Sequence, residues 1–414
     1  MQRSRTLPFI AAAAMAATMV PATTATADVL PSRHIVVLED GAGPVVDLAE
    51  DLLSPLGLRA DRVFTHALDA FTVVGLPGVV EGLAAHPDVA YVEADRQLSV
   101  TAQTLPAGID RVDADAVAGI GSGASTDVDI AIIDTGIDDH ADLNLHEHVN
   151  CQSGLGIPIL GLLFSPNASC EQGGTDDNGH GTHVAGTTAA IDNGQDVVGI
   201  APGARLWGVK VLGGPLGTGS TSDVIAGIDY VAANADEIEV ANMSLGGSGT
   251  SQATDDAIAN ATDAGVVVVV AAGNDSADAS GYTPANSPEA VTVSAITDLD
   301  GAPGGNASGS CSGGDDEFAT YSNYGDVVDI AAPGSCVVST ADGGGTTSLS
   351  GTSMASPHVA GAAALYIAQN GVPQDANRRD TVLGGLLSTA AAQTGPCGFT
   401  NGVSDEPLLD LDGC

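Results

Sequence analysis

The chain has 414 residues, room for about two or three domains, and its 44% hydrophobic content with mean hydropathy +0.20 excludes a disordered chain. Fifty-two acids against eleven bases give a formal net charge of -41. Such a field repels phosphate backbones and anionic bilayers, which excludes nucleic acid and a membrane surface as expected partners. The acids are spread among apolar runs, as on a folded surface, and are not gathered in a solvating tail.

Arg3 and Arg5 precede an apolar stretch from Leu7 to Val20, and Ala25-Thr26-Ala27 supplies a small-residue cleavage pattern. These are the three parts of a secretory signal, so residues 1–27 are read as removed and the mature protein as secreted and extracellular. The stretch is too short for a membrane anchor, which needs about 20 apolar residues; the later run Val266 to Ala272 stops at Gly273-Asn274. Residues 28–101 read as a small α+β unit. Arg33 to Leu38, Ala70 to Gly75 and Val89 to Val92 form strands, with helices over Val45 to Leu53 and Pro77 to Ala85. A linker follows around Thr101 to Pro106.

From there to residue 414 the pattern changes. Val128 to Ile133, Leu206 to Leu212, Val240 to Leu245, Val266 to Ala271, Ala290 to Ile296 and Val327 to Ala331 are short, β-branched-rich runs. They alternate with helical segments such as His180 to Ala190, Ser222 to Ala233 and Thr254 to Ala264. The pattern predicts an α/β architecture with a mainly parallel sheet covered by helices on both faces, functional groups lying at the carboxyl ends of the strands. The tail from Gln393 is loop-like. Six cysteines suit an oxidising compartment; six allow 15 connectivities, and nearest-neighbour pairing is expected (Cys151–Cys170, Cys311–Cys336, Cys397–Cys414).

Three polar groups stand where such a fold carries chemistry. Asp134 ends a strand in IAIIDTGID, His180 opens a small-residue helix in NGHGTHVAG, and Ser353 opens another in SGTSMASPHVAG. Nucleophilic acyl transfer needs this set: a serine is weak until a base takes its proton, and the base needs an anion to orient it and to stabilise the imidazolium. Asn274, at the end of the run Val266 to Ala272, offers an amide donor for an oxyanion together with the Ser353 N–H. A single Asp-Thr-Gly, present once, does not make an aspartic-protease pair. His140, His146 and His148 form a loose loop cluster open to a zinc reading, but no helical H-E-x-x-H accompanies them.

The order Asp, His, Ser with these motifs and the AAGN segment resembles the subtilisin-like serine proteases, and AQT near Gln103 and GYTPA near Tyr282 resemble the proteinase K type within them. The resemblance covers roughly residues 102–390. Residues 34–98, notably Phe64 to Leu68 and Tyr91 to Asp95, are similar to the family's inhibitory propeptide. The implied architecture is the three-layer subtilisin-like fold behind a small propeptide domain. It implies Ser353 as nucleophile, His180 as general acid/base, Asp134 as its orienter and Asn274 as oxyanion donor, while His183 and His358 match structural positions.

It further implies that Gly217-Thr218-Gly219 and Ser244-Leu245-Gly246 clamp an extended peptide as an added strand. Ala271, Ala272 and Gly273 would wall the specificity pocket and Gly281 would floor it. Small walls suggest broad cleavage after aromatic or aliphatic residues, with Asp275 as a possible attraction for basic ones. Calcium is the implied structural cofactor. A strong site would use the carbonyls of Ile191, Gln195 and Val197 with Asn193, Asp142 and Gln103; a second would use Asp329 with the carbonyls of Pro288 and Ala290. The propeptide is expected to act as intramolecular chaperone and inhibitor, its tail in the cleft until a cut between Val100 and Gln103. The expected partners are protein and peptide substrates, and a monomer is expected. Two other readings stay open: a narrow-specificity processing protease of the kexin type, and a catalytically silent binding protein on the same fold.

The charge divides unevenly. Residues 28–101 carry 12 acids and 4 bases, and residues 102–414 carry 40 acids and 5 bases, so the excess belongs mainly to the catalytic part. GC-rich codon usage would explain scarce lysine but would raise arginine, which is scarce as well. Self-repulsion falls with ionic strength. Stability and activity are therefore predicted to rise with salt, as in a halophilic or salt-tolerant enzyme. Melting temperature and peptide hydrolysis followed up to about 1 M salt, where the Debye length is about 3 Å, test this; a steady fall over that range rejects it.

Overall fold

A computed structural model describes residues 32–39, 41–65, 69–94, 103–123, 125–152, 170–305, 307–309, 311, 313–393, 395–399, 403 and 405–413. The expected signal at 1–27, residues 100–102 of the expected cut, residues 66–68 of the Phe64 to Leu68 match, residue 95 of the Tyr91 to Asp95 match, and Cys414 lie outside them. The chain divides into two compact units, residues 1–100 and 101–414.

The first unit is a four-stranded antiparallel sheet in the order Ala60–Phe64, Ala70–Gly75, Ser32–Leu38, Val89–Ala94. The helix Val45–Leu53 repeats its apolar residues at helical spacing and buries Val45, Ala49, Leu52 and Leu53, which join Val36, Phe71 and Val73 in one core. Sequence reading gave three strands; Ala60–Phe64 is the fourth. It is an edge strand with its side chains largely exposed, and its charged Asp61 and Arg62 hide the alternation that marks a half-buried strand. The helix expected over 77–85 is one α-turn, Pro77–Val80, continued by the 3-10 segment Glu81–Ala85.

The second unit is built on a nine-stranded sheet. The parallel strands lie in the order Ile330–Pro333, Val291–Thr297, Val267–Ala271, Ile238–Met243, Asp129–Asp134, Arg205–Lys210, Leu145–Asn150. Short antiparallel strands, Glu317–Phe318 and Glu171–Gln172, pair with Val291–Thr297 and Leu145–Asn150. Both faces are covered, so strands read as continuous apolar runs whose alternate residues enter different cores. Ile130, Ile132, Val267 and Val269 face the helices that begin at His180 and Thr352. Ala131, Ile133, Val268 and Val270 face the helices Thr221–Ala233 and Gln252–Asp263. The strand order reverses direction between Asp129–Asp134 and Ile238–Met243. At such a switch point the loops leaving the strand ends diverge and open a crevice.

Leu145–Asn150 was not expected as a strand, because His146, Glu147 and His148 break its hydrophobic pattern. It carries His146 and His148 out of the loop cluster envisaged for them: His146 lies against Trp207 at 4.7 Å, while His140 bonds Gly345 O and the Asp142 N–H through its two ring nitrogens. Among the described residues no potential metal-binding group includes these histidines. Cys151–Cys170 and Cys311–Cys336 are disulfides as expected, and Cys397 is disulfide-bonded too.

Arg111, 2% exposed, ties the long 299–316 loop and the tail to the body. Its Nε lies 2.9 Å from Asp316 Oδ1 and 3.1 Å from Asp298 Oδ2, and Nη2 donates to Cys397 O at 2.8 Å. Burial pushes the Asp298 carboxyl up to about 7 even with the Gly301 N–H and Arg111 pulling it down. Removing one partner of a buried ion pair costs about 3–5 kcal/mol because the other charge stays buried alone. Arg111→Met should lose that much in urea unfolding of the Ser353→Ala protein; a loss under about 1 kcal/mol, the range of exposed pairs, would show the contact to be dispensable.

Candidate active site

Asp134 is the last residue of its central strand and is fully buried. His180 is the first residue of the helix His180–Ala189, and its Nδ1 lies 2.7 Å from Asp134 Oδ1. The same oxygen accepts the Thr135 N–H at 2.7 Å. The two elements approach this closely because both lack side chains where they meet: a Cβ on Gly181 would stand 2.1 Å from Gly136 O, and Gly136 itself has φ +102°. Burial works to lower the His180 pKa, but Asp134, by charge and hydrogen bond, and Asp176 raise it, and the net shift is upward.

Ser353 lies in the first turn of the helix Thr352–Asn370, and its hydroxyl donates to Ser244 O at 3.1 Å. A buried chain of bonds fixes that turn: Ser244 Oγ donates to Ser353 O at 2.7 Å, and Asn242 Nδ2 to Ser244 Oγ at 2.9 Å. Asn274 follows the Val267–Ala271 strand. Its Oδ1 accepts from the N–H and hydroxyl of Thr352, which fixes the amide so that its nitrogen is the end left to donate.

His180, Ser353 and Asn274 line one cleft of about 620 Å³. Gly217, Thr218 and Gly219 border it, as do Ser244, Leu245 and Gly246, and Ala271, Ala272 and Gly273 form part of its wall. Gly281 does not line it: it ends a 3-10 turn, and its carbonyl accepts the Gly249 N–H. Tyr282, Thr283, Pro284 and Ala285 line the cleft in its place. Asp275 and Tyr282 both line the cleft, and burial and the Asp275 carboxylate push the Tyr282 phenol upward.

His183 and His358 are fully buried, each with one ring nitrogen on a backbone carbonyl. Burial lowers both to about 4, which keeps them neutral packing groups.

The six residues expected at the strong calcium site come together, joined by hydrogen bonds, in one place. Gln103 Nε2 donates to Ile191 O at 2.9 Å and to Val197 O at 3.0 Å, and Asp142, 1% exposed, accepts from Asn193 Nδ2 and the Val197 N–H. Gln195 reaches the cluster by its N–H on Asn193 Oδ1. Oxygens of Ile191, Val197 and Asp142 thus converge on the amides of Gln103 and Asn193, and this oxygen-rich set fits a calcium ion. The second expected site is a correction. Arg379 Nη2 donates to Ala290 O at 2.8 Å and stands 3.8 Å from Asp329 Oδ1. A guanidinium thus takes the place between two of the three expected ligands, and Pro288 adds no side-chain donor to compete with it.

Sequence reading passed over Asp176, Lys210 and Arg379. Asp176 and Lys210 lie close behind the Asp134–His180 pair; the signal for Asp176 was its place in the DDNGHGTH segment, four residues before His180.

The subtilase family model matches residues 125–403, and the chain belongs to that family. It is a subtilisin-like serine endopeptidase. It is 39% identical over 354 residues to the extracellular serine proteinase of Thermus sp. (strain Rt41A), covering 82% of this chain and 78% of that protein. To the alkaline elastase YaB of Bacillus sp. (strain YaB) it is 40% identical over 308 residues, covering 74% and 71%. Among solved structures, a protease of Pseudoalteromonas arctica matches with TM-score 0.59 and 29% identity over 76% of this chain and 98% of that one. A cold-adapted subtilisin-like serine proteinase matches with TM-score 0.55 and 34% identity over 75% and 98%. Subtilases commonly bind structural calcium. Among the described residues, no helix is long and apolar enough to cross a membrane.

Proposed function

We propose that the chain is a secreted zymogen whose catalytic unit cleaves proteins with broad specificity through Asp134, His180, Ser353 and Asn274. The observation that carries this reading is the 2.7 Å contact of His180 with buried Asp134 at the edge of a cleft also lined by Ser353. A substrate strand lies between Gly217–Gly219 and Ser244–Gly246. Ser353 rotates from the Ser244 carbonyl toward His180, which takes its proton as Oγ attacks the peptide carbonyl carbon. Asp134 stabilises the imidazolium. The oxyanion receives the Ser353 N–H and Asn274 Nδ2. His180 then gives its proton to the leaving amine, and water, activated by the same imidazole, releases the acyl group.

Residues 1–27 act as the signal and 28–101 as chaperone and inhibitor, cut off between Val100 and Gln103. The small wall residues Ala271, Ala272 and Gly273 leave room for a bulky side chain, which favours aromatic or aliphatic side chains before the scissile bond. Ser353→Ala should abolish peptide hydrolysis with the fold retained, and Asn274→Ala should lose about 10²–10³ in kcat, a magnitude measured in subtilisin itself. Fluorogenic peptides ending in Phe, Leu or Arg read out both variants. Activity persisting in purified Ser353→Ala sinks the mechanism, and preference for Arg sinks the specificity.

Calcium held by Gln103, Asp142, Asn193 and the carbonyls of Ile191, Gln195 and Val197 supplies cross-linking between chain segments, not chemistry. Chelation by EDTA should lower the melting temperature and hasten autolysis. Asp142→Asn should remove that response and Asp329→Asn should leave it. No effect of EDTA on the wild type overturns the metal reading, and loss of the response in Asp329→Asn would restore the second site.

A further inference from the structure

Asp176 is 7% exposed and takes no part in the hydrolytic steps above, yet it accepts five hydrogen bonds. Its Oδ1 receives the Thr135 hydroxyl at 2.8 Å and the N–H groups of Asn178 and Gly179 at 3.0 Å. Its Oδ2 receives the N–H and hydroxyl of Thr182 at 2.9 and 2.7 Å. The Thr135 hydroxyl in turn accepts the Gly181 N–H at 2.9 Å. The Gly181 and Thr182 N–H groups at the start of the His180 helix are thus bound by a hydroxyl that Asp176 holds and by Asp176 itself. Thr135 is also the residue whose N–H fixes Asp134 Oδ1, the oxygen facing His180. One carboxylate therefore joins both sides of the Asp134–His180 contact.

The charge matters as well as the bonds. A helix N-terminus carries roughly half a positive elementary charge, and a histidine there is disfavoured as imidazolium. The helix has no acid in its first turn, so Asp176, bonded to that turn's N–H groups, is the anion seated on its end, beside Asp134 at the imidazole.

We propose that Asp176 is a positioning residue for peptide hydrolysis, clamping the first turn of the His180 helix to Thr135 and offsetting the helix field so that His180 stays basic. This rests on the reading of His180 as the general base. The titratable groups around His180 are Asp134 on its strand, Asp176 before the helix and His183 one turn along it. Farther out around Asp176 are Asp138, Asp342 and Asp177, the last paired with Lys210 at 2.7 Å.

The test compares full-length wild type with Asp176→Asn, Asp176→Glu, Thr135→Val and Ser353→Ala, measuring kcat and KM for one fluorogenic peptide across pH. Asp176→Asn should lower kcat at least about tenfold with KM little changed, and should move the acid limb of kcat/KM to lower pH, since His180 has lost an anion that favours its protonated form. Asp176→Glu keeps the charge and should restore the acid limb to its wild-type position. Thr135→Val cuts the link but keeps the charge, so kcat should fall with the acid limb unmoved. An unmoved limb in Asp176→Asn overturns the proposal whatever the loss of rate, because a carboxylate that only stabilises the fold costs melting temperature and rate without changing His180. If Asp176→Asn does not accumulate as folded protein, an unaltered kcat in Thr135→Val overturns it. Activity in Ser353→Ala would instead sink the triad reading itself.

Discussion

Five cations serve a catalytic unit with forty acids, and the fold commits every one of them. Arg111 spans Asp298, Asp316 and the tail; Arg205 holds Asp129 and Glu237 while lying 5.9 Å from the Trp207 ring. Lys210 joins Asp177 to Thr135 O; Arg378 is buried on the carbonyls of Pro373 and Gly265; Arg379 reaches Ala290 O, Asp329 and Asp380. Buried carboxylates are costly unless paired or well hydrogen-bonded. Where no cation is available the chain uses backbone N–H groups instead, as at Asp176 and at Asp315, which accepts from Leu299 and Ala307. The outer surface is left with acids and almost nothing of opposite sign.

The same economy shapes the site. Lys210 is level with Asp134 in the neighbouring parallel strand, and its ammonium closes the loop that runs from Asp134 through Thr135 to the His180 helix. Three elements far apart in sequence meet here because the sheet changes winding direction beside the Asp134 strand. The tight approach of Gly136 and Gly181 then sets the separation at hydrogen-bond length. Ser353 arrives by a different route, on a helix whose first turn is fixed through Asn242 and Ser244 from the strand on the other side of the switch point. The carboxylate and the imidazole thus share one support through Thr135 and Asp176, while the hydroxyl is held by another.

Most of the architecture was legible because its signals are local. Apolar β-branched runs ending in Gly, Asn or Asp marked the parallel strands from Val128 to Ile133 onward, and the spacing of Val45, Ala49, Leu52 and Leu53 marked a helix that forms over those bounds. Strands with charged or imidazole side chains, Ala60–Phe64 and Leu145–Asn150, were not legible, since their place at or near a sheet edge removes the pressure for alternation. Motif residues such as Asp134, His180, Ser353 and Asn274 could be named from their surroundings in sequence. Groups whose role depends on distant partners could not: nothing near Arg379 says that it reaches Ala290 from 89 residues away, and Gly281 gave no sign that its carbonyl is occupied by Gly249.

Lys210 is the chain's only lysine, and it is 5% exposed with its Nζ engaged on two oxygens. Apart from its ammonium, the only primary amine the sequence provides is the α-amino terminus. Amine-directed coupling, whether to a dye, a resin or a cross-linker, has one address on this molecule, so reagents that modify most proteins at random would label it end-on and leave the catalytic cleft untouched.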